Sequence, residues 1–144
     1  MNFKIDFSEP MPQMIDRLKG EHLKLLPELS KVEKACGSDM NQVMGLLHKL
    51  KDIILRHAVE EEARVMKVIM EKAKSDSLDS VRIMQEHRWV SEFFERRLDR
   101  LPKETKEKAS DEVLKFIQDL RQHFQEEEQV VFPLALKAIT SSKD

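Results

Sequence analysis

The chain has 144 residues, a net charge of −2 at pH 7 and a pI of about 6.2, which suits one domain with a substantial core and gives no bulk charge to attract nucleic acid or an anionic membrane. Few glycines and prolines in a composition that is 36 % charged favour an all-α chain with charged outer faces, and a single cysteine, Cys36, excludes an internal disulfide framework. The N-terminus lacks the charged start and apolar run of a signal peptide, and no stretch approaches the ~20 apolar residues of a membrane span, so a soluble cytoplasmic protein is expected.

Residues 1–10 read as an N-terminal arm and residues 11–144 as one domain. Pro10 and Pro12 suit the first turn of a helix. The first long helix is expected over about 11–36, with Gly37 supplying its C-cap and Pro27 kinking it. A second should follow Ser38-Asp39, with Gln42 placed for a capping box, and run to about Lys74. Ser75-Asp76-Ser77 makes the next break. A third helix is expected over about 78–101, ended by Leu101-Pro102, and a fourth over about 104–140, capped near Ser110-Asp111 or earlier and kinked at Pro133.

Each helix carries an apolar stripe at three-four spacing. The stripes are Ile15, Leu18, Leu25, Leu29 and Val32; then Val43, Leu47, Leu50, Ile54 and Val68; then Ile83, Val90, Phe94, Leu98 and Leu101; then Phe116, Leu120, Val131 and Leu134. Four amphipathic helices with short connections predict an up-down-up-down four-helix bundle.

A polar pattern is written twice across these helices. Residues 57–62 read His-Ala-Val-Glu-Glu-Glu and residues 123–128 read His-Phe-Gln-Glu-Glu-Glu, while Glu-His pairs occur at Glu21-His22 and Glu86-His87. From His22 to His87 is 65 residues, and from His57 to His123 is 66. Two similar helical hairpins related by an approximate two-fold axis would present the same chemistry from both sides of the interior.

The histidines fall on the apolar stripes. His22 lies between Leu18 and Leu25, His57 follows Ile54, His87 lies between Ile83 and Val90, and His123 follows Leu120. Glu61 and Glu127 each stand four residues beyond a histidine, on the same face one turn along. Burying ionised carboxylates without partners costs several kcal/mol each, so they must be protonated, salt-bridged or bound to a cation. A divalent metal is the simplest compensation. Four imidazoles and two carboxylates without thiolate suit iron or manganese better than a closed structural zinc site. Six side chains fit two ions roughly 3.5–4 Å apart better than one, with two histidines on each, both glutamates free to bridge, and room for a bridging oxygen and an exogenous molecule.

Other polar and aromatic residues are read as bystanders. His48 lies nine positions before His57 and points to the opposite side of the helix. Glu60, Glu62, Glu126 and Glu128 read as a solvated flank, one of which could orient a ligand histidine. Trp89, Phe124 and the eight methionines read as packing.

His-x-x-x-Glu written twice, Glu-His on the intervening helices, and the tail His-Phe-Gln-Glu-Glu-Glu-Gln-Val-Val-Phe-Pro-Leu together resemble the hemerythrin-like HHE cation-binding domain, over about residues 11–140. Ferritin-like bundles use Glu-x-x-His instead, a spacing absent here. The resemblance implies a hemerythrin-like bundle around a non-haem di-iron centre, oxo- or hydroxo-bridged, with manganese or zinc as lesser candidates. It makes His22, His57, His87 and His123 the terminal ligands and Glu61 and Glu127 the bridges. The oxygen-carrying hemerythrins place two histidines one turn apart on the third helix; here Ile83 and Ser91 stand at those turns from His87. Their last carboxylate follows its histidine by five residues, against four from His123 to Glu127. The set is closer to the HHE domains of iron-centre repair and of iron or oxygen sensing.

The function expected from this resemblance is binding of, or reaction with, oxygen, nitric oxide or peroxide, in protection or repair of iron centres. The alternative is an iron- or oxygen-sensing or iron-binding module without catalysis. Either makes the chain a metal-binding protein more than a conventional enzyme. Its expected partner is a small diatomic ligand or peroxide, with no nucleic acid and no membrane.

Overall fold

The computed structural model describes residues 4–72 and 77–141. Within them lie four long helices and no strand. Helix α1 is Met11–Ala35. Helix α2 runs in three continuous segments, Met40–Glu60, a π-helical turn Glu61–Met66, and Lys67–Lys72. Helix α3 is Ser77–Glu92 followed by a π-helical turn Phe93–Arg97, and it tightens into a 3₁₀ segment Leu98–Lys103. Helix α4 is Lys106–Glu126, a π-helical turn Glu127–Val131, and Phe132–Ser141. The expected end of the second helix at Lys74, and Ser75 and Asp76 of the break after it, lie outside the described residues.

Local chemistry sets the ends. Gly37 takes φ +84° just past α1, where other residues would be strained, and the Asp39 N–H bonds back to the Ala35 carbonyl at 2.9 Å. The Asp39 carboxylate then caps α2 by accepting from the Gln42 N–H at 3.1 Å. The cap of α4 is Thr105, which accepts from the Lys108 N–H, upstream of Ser110-Asp111. Helix α1 continues through Pro27, which sits on its exposed side. At Pro133 the ladder adjusts beforehand: the Phe132 N–H reaches five residues back to the Glu127 carbonyl, a π-type bond next to a residue with no N–H to donate.

The bundle is antiparallel, and its core shows it. One apolar cluster joins Leu25–Ala35 of α1, Val43–Ile54 of α2, Val90–Leu101 around α3 and Ala109–Phe124 of α4. A second joins Met11–Leu18, Val65–Ile69, Ile83 and Val131–Ala135. The C-terminal half of one helix therefore meets the N-terminal half of the next at each end. In the first cluster Phe116 stacks on Phe93 at 3.8 Å between ring centroids, with Trp89 at 5.3 Å.

Two expected core residues are displaced by one position. Val68 and Leu134 are only half-buried, whereas Ile69 and Ala135 are buried. Each lies just past a π-helical turn, which takes up an extra residue and moves the inward face one position along. The arm is anchored to the bundle: the Arg64 guanidinium donates to the Asp6 carbonyl at 2.9 Å, and Arg17 forks onto Glu9 at 2.9 and 3.1 Å. No helix among the described residues is long and apolar enough to cross a membrane.

Candidate metal centre

Between the two apolar clusters lies one polar layer. His22, Glu61 and Glu127 are fully buried, and His57, His87 and His123 nearly so. Each helix supplies one imidazole, and α2 and α4 add Glu61 and Glu127 at the first residue of their π-helical turns. All six residues singled out in the sequence are thus brought together, each Nε2 turned towards the carboxylates. Glu127 Oε1 lies 3.1 Å from His22 Nε2 and 3.8 Å from His57 Nε2; its Oε2 lies 3.3 Å from His123 Nε2 and 3.5 Å from His87 Nε2. Glu61 Oε1 is in close contact with His57 Nε2, and its Oε2 is 3.9 Å from His87 Nε2.

The outer nitrogens are as ordered as the inner ones. His57 Nδ1 is 2.7 Å from Glu21, His87 Nδ1 is 3.2 Å from Glu62, His123 Nδ1 is 2.6 Å from Glu86, and His22 Nδ1 is 2.8 Å from Glu128. Each helix therefore holds the imidazole of the next, in a closed cycle from α1 round to α4 and back. A carboxylate can only accept, so each Nδ1 is the donor and the neutral ring has its lone pair on the inward Nε2. Of the four glutamates read as flank, one of which could orient a histidine, two do so, Glu62 and Glu128, and they are joined by Glu21 and Glu86, to which the sequence pattern assigns no such role. The signal was present: Glu21 and Glu86 are 65 apart and Glu62 and Glu128 are 66 apart, the same offsets as the histidines. Glu60 is also buried, held by Arg17, and Glu126 is 2.8 Å from Arg82. His48 is exposed and faces Asp99 at 3.7 Å, away from the layer. Phe124 packs its ring on His22 at 4.2 Å between centroids.

The electrostatics mark a place for positive charge. Burial pushes the His57 imidazole down, but the Glu61 and Glu21 carboxylates outweigh it and hold its pKa up to about 9. Burial and the neighbouring His57 charge push His22 down, and burial pushes His123 down against the pull of Glu86. Burial raises Glu61, yet the surrounding histidines hold it below the ordinary carboxylate value. Lone pairs still face one another: His22, His87 and His123 Nε2 all point at Glu127 oxygens. His87 Nε2, Glu127 Oε2 and Glu61 Oε2 are buried without a hydrogen-bond partner. Such groups are costly when left bare; a cation between them turns acceptor–acceptor repulsion into coordination. The donors fall into two groups, His22, His57, Glu61 and Glu127, and His87, His123 and Glu127, within each of which the candidate ligand atoms lie within 4.8 Å of one another. Glu127 is common to both.

Comparison with curated proteins and with solved structures found no match. A family model, the Hemerythrin HHE cation binding domain, matches residues 13–135, most of the chain. Together with the all-α bundle and its buried histidine–glutamate layer, that match makes this chain a member of the hemerythrin HHE cation-binding domain family.

Proposed function

We propose that the layer holds two iron ions and that the protein binds or reacts with oxygen, nitric oxide or peroxide in the protection or repair of iron centres. The observation that carries this reading is the pair of buried donor groups sharing Glu127, a set of nitrogen and oxygen donors without thiolate, which suits iron. His22 and His57 with Glu61 would hold one ion, His87 and His123 the other, and Glu127 would touch both. The ions would supply redox chemistry and a coordination position for a small molecule. The protein's own part is to keep each Nε2 lone pair aimed inward by tying Nδ1 to a carboxylate, and to exclude bulk water with the apolar clusters above and below. In the metal-free protein the proton on His57 stands in for the missing charge and must leave when metal enters.

Anaerobic loading with ferrous iron, followed by oxygen or nitric oxide, tests the reading. The expected result is near-ultraviolet absorption that develops after the gas is added and is lost in His57→Ala. Iron-supplied protein that holds no metal would sink it.

A further inference from the structure

The two halves of the layer repeat one ion pair beyond the orienting carboxylates. Arg17 lies four residues before Glu21 and bonds to the buried Glu60 of α2; Arg82 lies four residues before Glu86 and sits 2.8 Å from Glu126 of α4. Arg17 and Arg82 are 65 residues apart, and Glu60 and Glu126 are 66 apart, the same offsets as the histidines. The halves differ in what is added. Arg17 also takes hold of the N-terminal arm, through the Glu9 carboxylate at 2.9 and 3.1 Å. The position 65 residues beyond Glu9 is Lys74, so the repeat carries no matching carboxylate there.

Arg17 reaches the metal layer in two short steps. Its Nη1 donates to Glu21 Oε2 at 3.1 Å, and Glu21 Oε1 accepts from His57 Nδ1 at 2.7 Å. The two oxygens of one carboxylate thus join the guanidinium to the imidazole. The contact of Arg17 with Glu60 holds the residue just before Glu61. The arm has a second tie in the same region: Arg64, in the π-helical turn that Glu61 opens, donates to the Asp6 carbonyl. Both ties therefore end beside His57 and Glu61, two of the four donor residues of the His22 group. A lone exposed ion pair would add little. Here one planar guanidinium is gripped by Glu9 and by the buried Glu60 together, and that network sets its direction towards Glu21.

We infer that Arg17 is a positioning residue of the metal centre and that the N-terminal arm, by holding Arg17 and the turn opened by Glu61, tightens the grip of His57 and Glu61 on one ion of the pair. The inference rests on the di-iron reading. Coupling of this kind is reciprocal: an arm that tightens metal is itself docked more tightly by metal.

Two measurements on the full chain test it. The first follows iron loss from ferrous-loaded protein, anaerobically, into excess ferrous chelator. The second follows chymotryptic cleavage after Phe7, which is exposed but lies between the two ties of the arm, so that cleavage reports how often the arm lifts. Glu9→Gln should speed the loss of one ion about threefold and Arg17→Gln about tenfold, with the other ion leaving at the wild-type rate. Cleavage of wild-type protein after Phe7 should slow about threefold on loading, and Glu9→Gln should abolish that difference. Glu33→Gln breaks a pair of the same kind between α1 and α4, with Arg121 at 3.0 Å, and should change neither reading. Glu9 lies outside both core clusters, so Glu9→Gln decides the matter if Arg17→Gln impairs folding. Wild-type protein that takes up no iron would remove the di-iron reading and this inference with it. Wild-type protein that loads iron, with Glu9→Gln losing both ions at the wild-type rate, losing both faster alike, or cleaved as metal-sensitively as wild type, would overturn the role of the arm alone.

Discussion

Replacing Glu21 by glutamine isolates the contribution of the carboxylate cycle. Glu21 Oε1 sits 2.7 Å from His57 Nδ1, and its Oε2 sits 3.1 Å from the Arg17 guanidinium. The amide keeps the side chain's size and one acceptor oxygen but removes the charge that fixes the His57 ring and makes its Nε2 a stronger donor to metal. Loss of such an orienting partner costs about 10–100-fold in metal affinity, or roughly 1.4–2.7 kcal/mol. Position within that range follows from exposure, because water screens an exposed pair. The Glu21 side chain is 15 % exposed, against 31 % for Glu86, 37 % for Glu62 and 40 % for Glu128. Glu21→Gln should therefore weaken binding close to 100-fold and Glu128→Gln close to tenfold. Anaerobic competition against a colorimetric ferrous chelator measures both. Glu21→Gln within twofold of wild type, or a larger loss in Glu128→Gln, would refute the reasoning.

The metal-free protein should be less stable in base. His57 has a folded-state pKa of about 9 against an ordinary 6.5, so its stabilisation of about 3 kcal/mol is fully present below pH 6.5 and lost as pH rises through 9. The melting temperature should fall by roughly 10 °C between pH 6 and pH 9.5, and a rise over that interval would contradict the assignment of charge in the site. Metal binding displaces the same proton, so apparent affinity should climb by up to about tenfold per pH unit and level off above about pH 9; a flat profile below that in the chelator competition would argue against it. Phe116→Ala removes the ring stacked on Phe93 and should cost about 3–5 kcal/mol in urea unfolding, while the folded variant keeps the wild-type metal content because the ring contacts of Phe116 are with Trp89, Phe93 and Phe94; selective loss of metal would contradict the separation of core and site.

The sequence carried the bundle and the six inward residues because helical periodicity reports directly on which face is buried. The stripes of α1 and α3 hold along their whole length: Ile15 through Val32 and Ile83 through Leu101 are all buried. Periodicity failed after two of the three π-helical turns, whereas the α3 stripe runs through the third with Phe94 and Leu98 still buried. Beyond Glu61 and Glu127 the π-helical turns shift the inward face, so Ile69 and Ala135 replace Val68 and Leu134. No local composition announces such a turn, although Pro133 marks one of the two. The carboxylate cycle was hidden for another reason. Glu21, Glu62, Glu86 and Glu128 stand at the edge of the buried face, where a helical wheel cannot separate a solvated glutamate from one reaching across to the neighbouring helix. Their shared 65- and 66-residue offsets were the only sign.

The number of metal ions held per chain tests the shared-glutamate site most directly. Protein purified without oxygen, supplied with ferrous iron and freed of excess should contain about two iron ions per chain. Glu127→Ala, which removes the one side chain common to both donor groups, should lose both ions together while the bundle remains helical. Wild-type protein without bound iron, or a Glu127→Ala variant that still binds two ions as tightly as wild type, would contradict a centre built around Glu127.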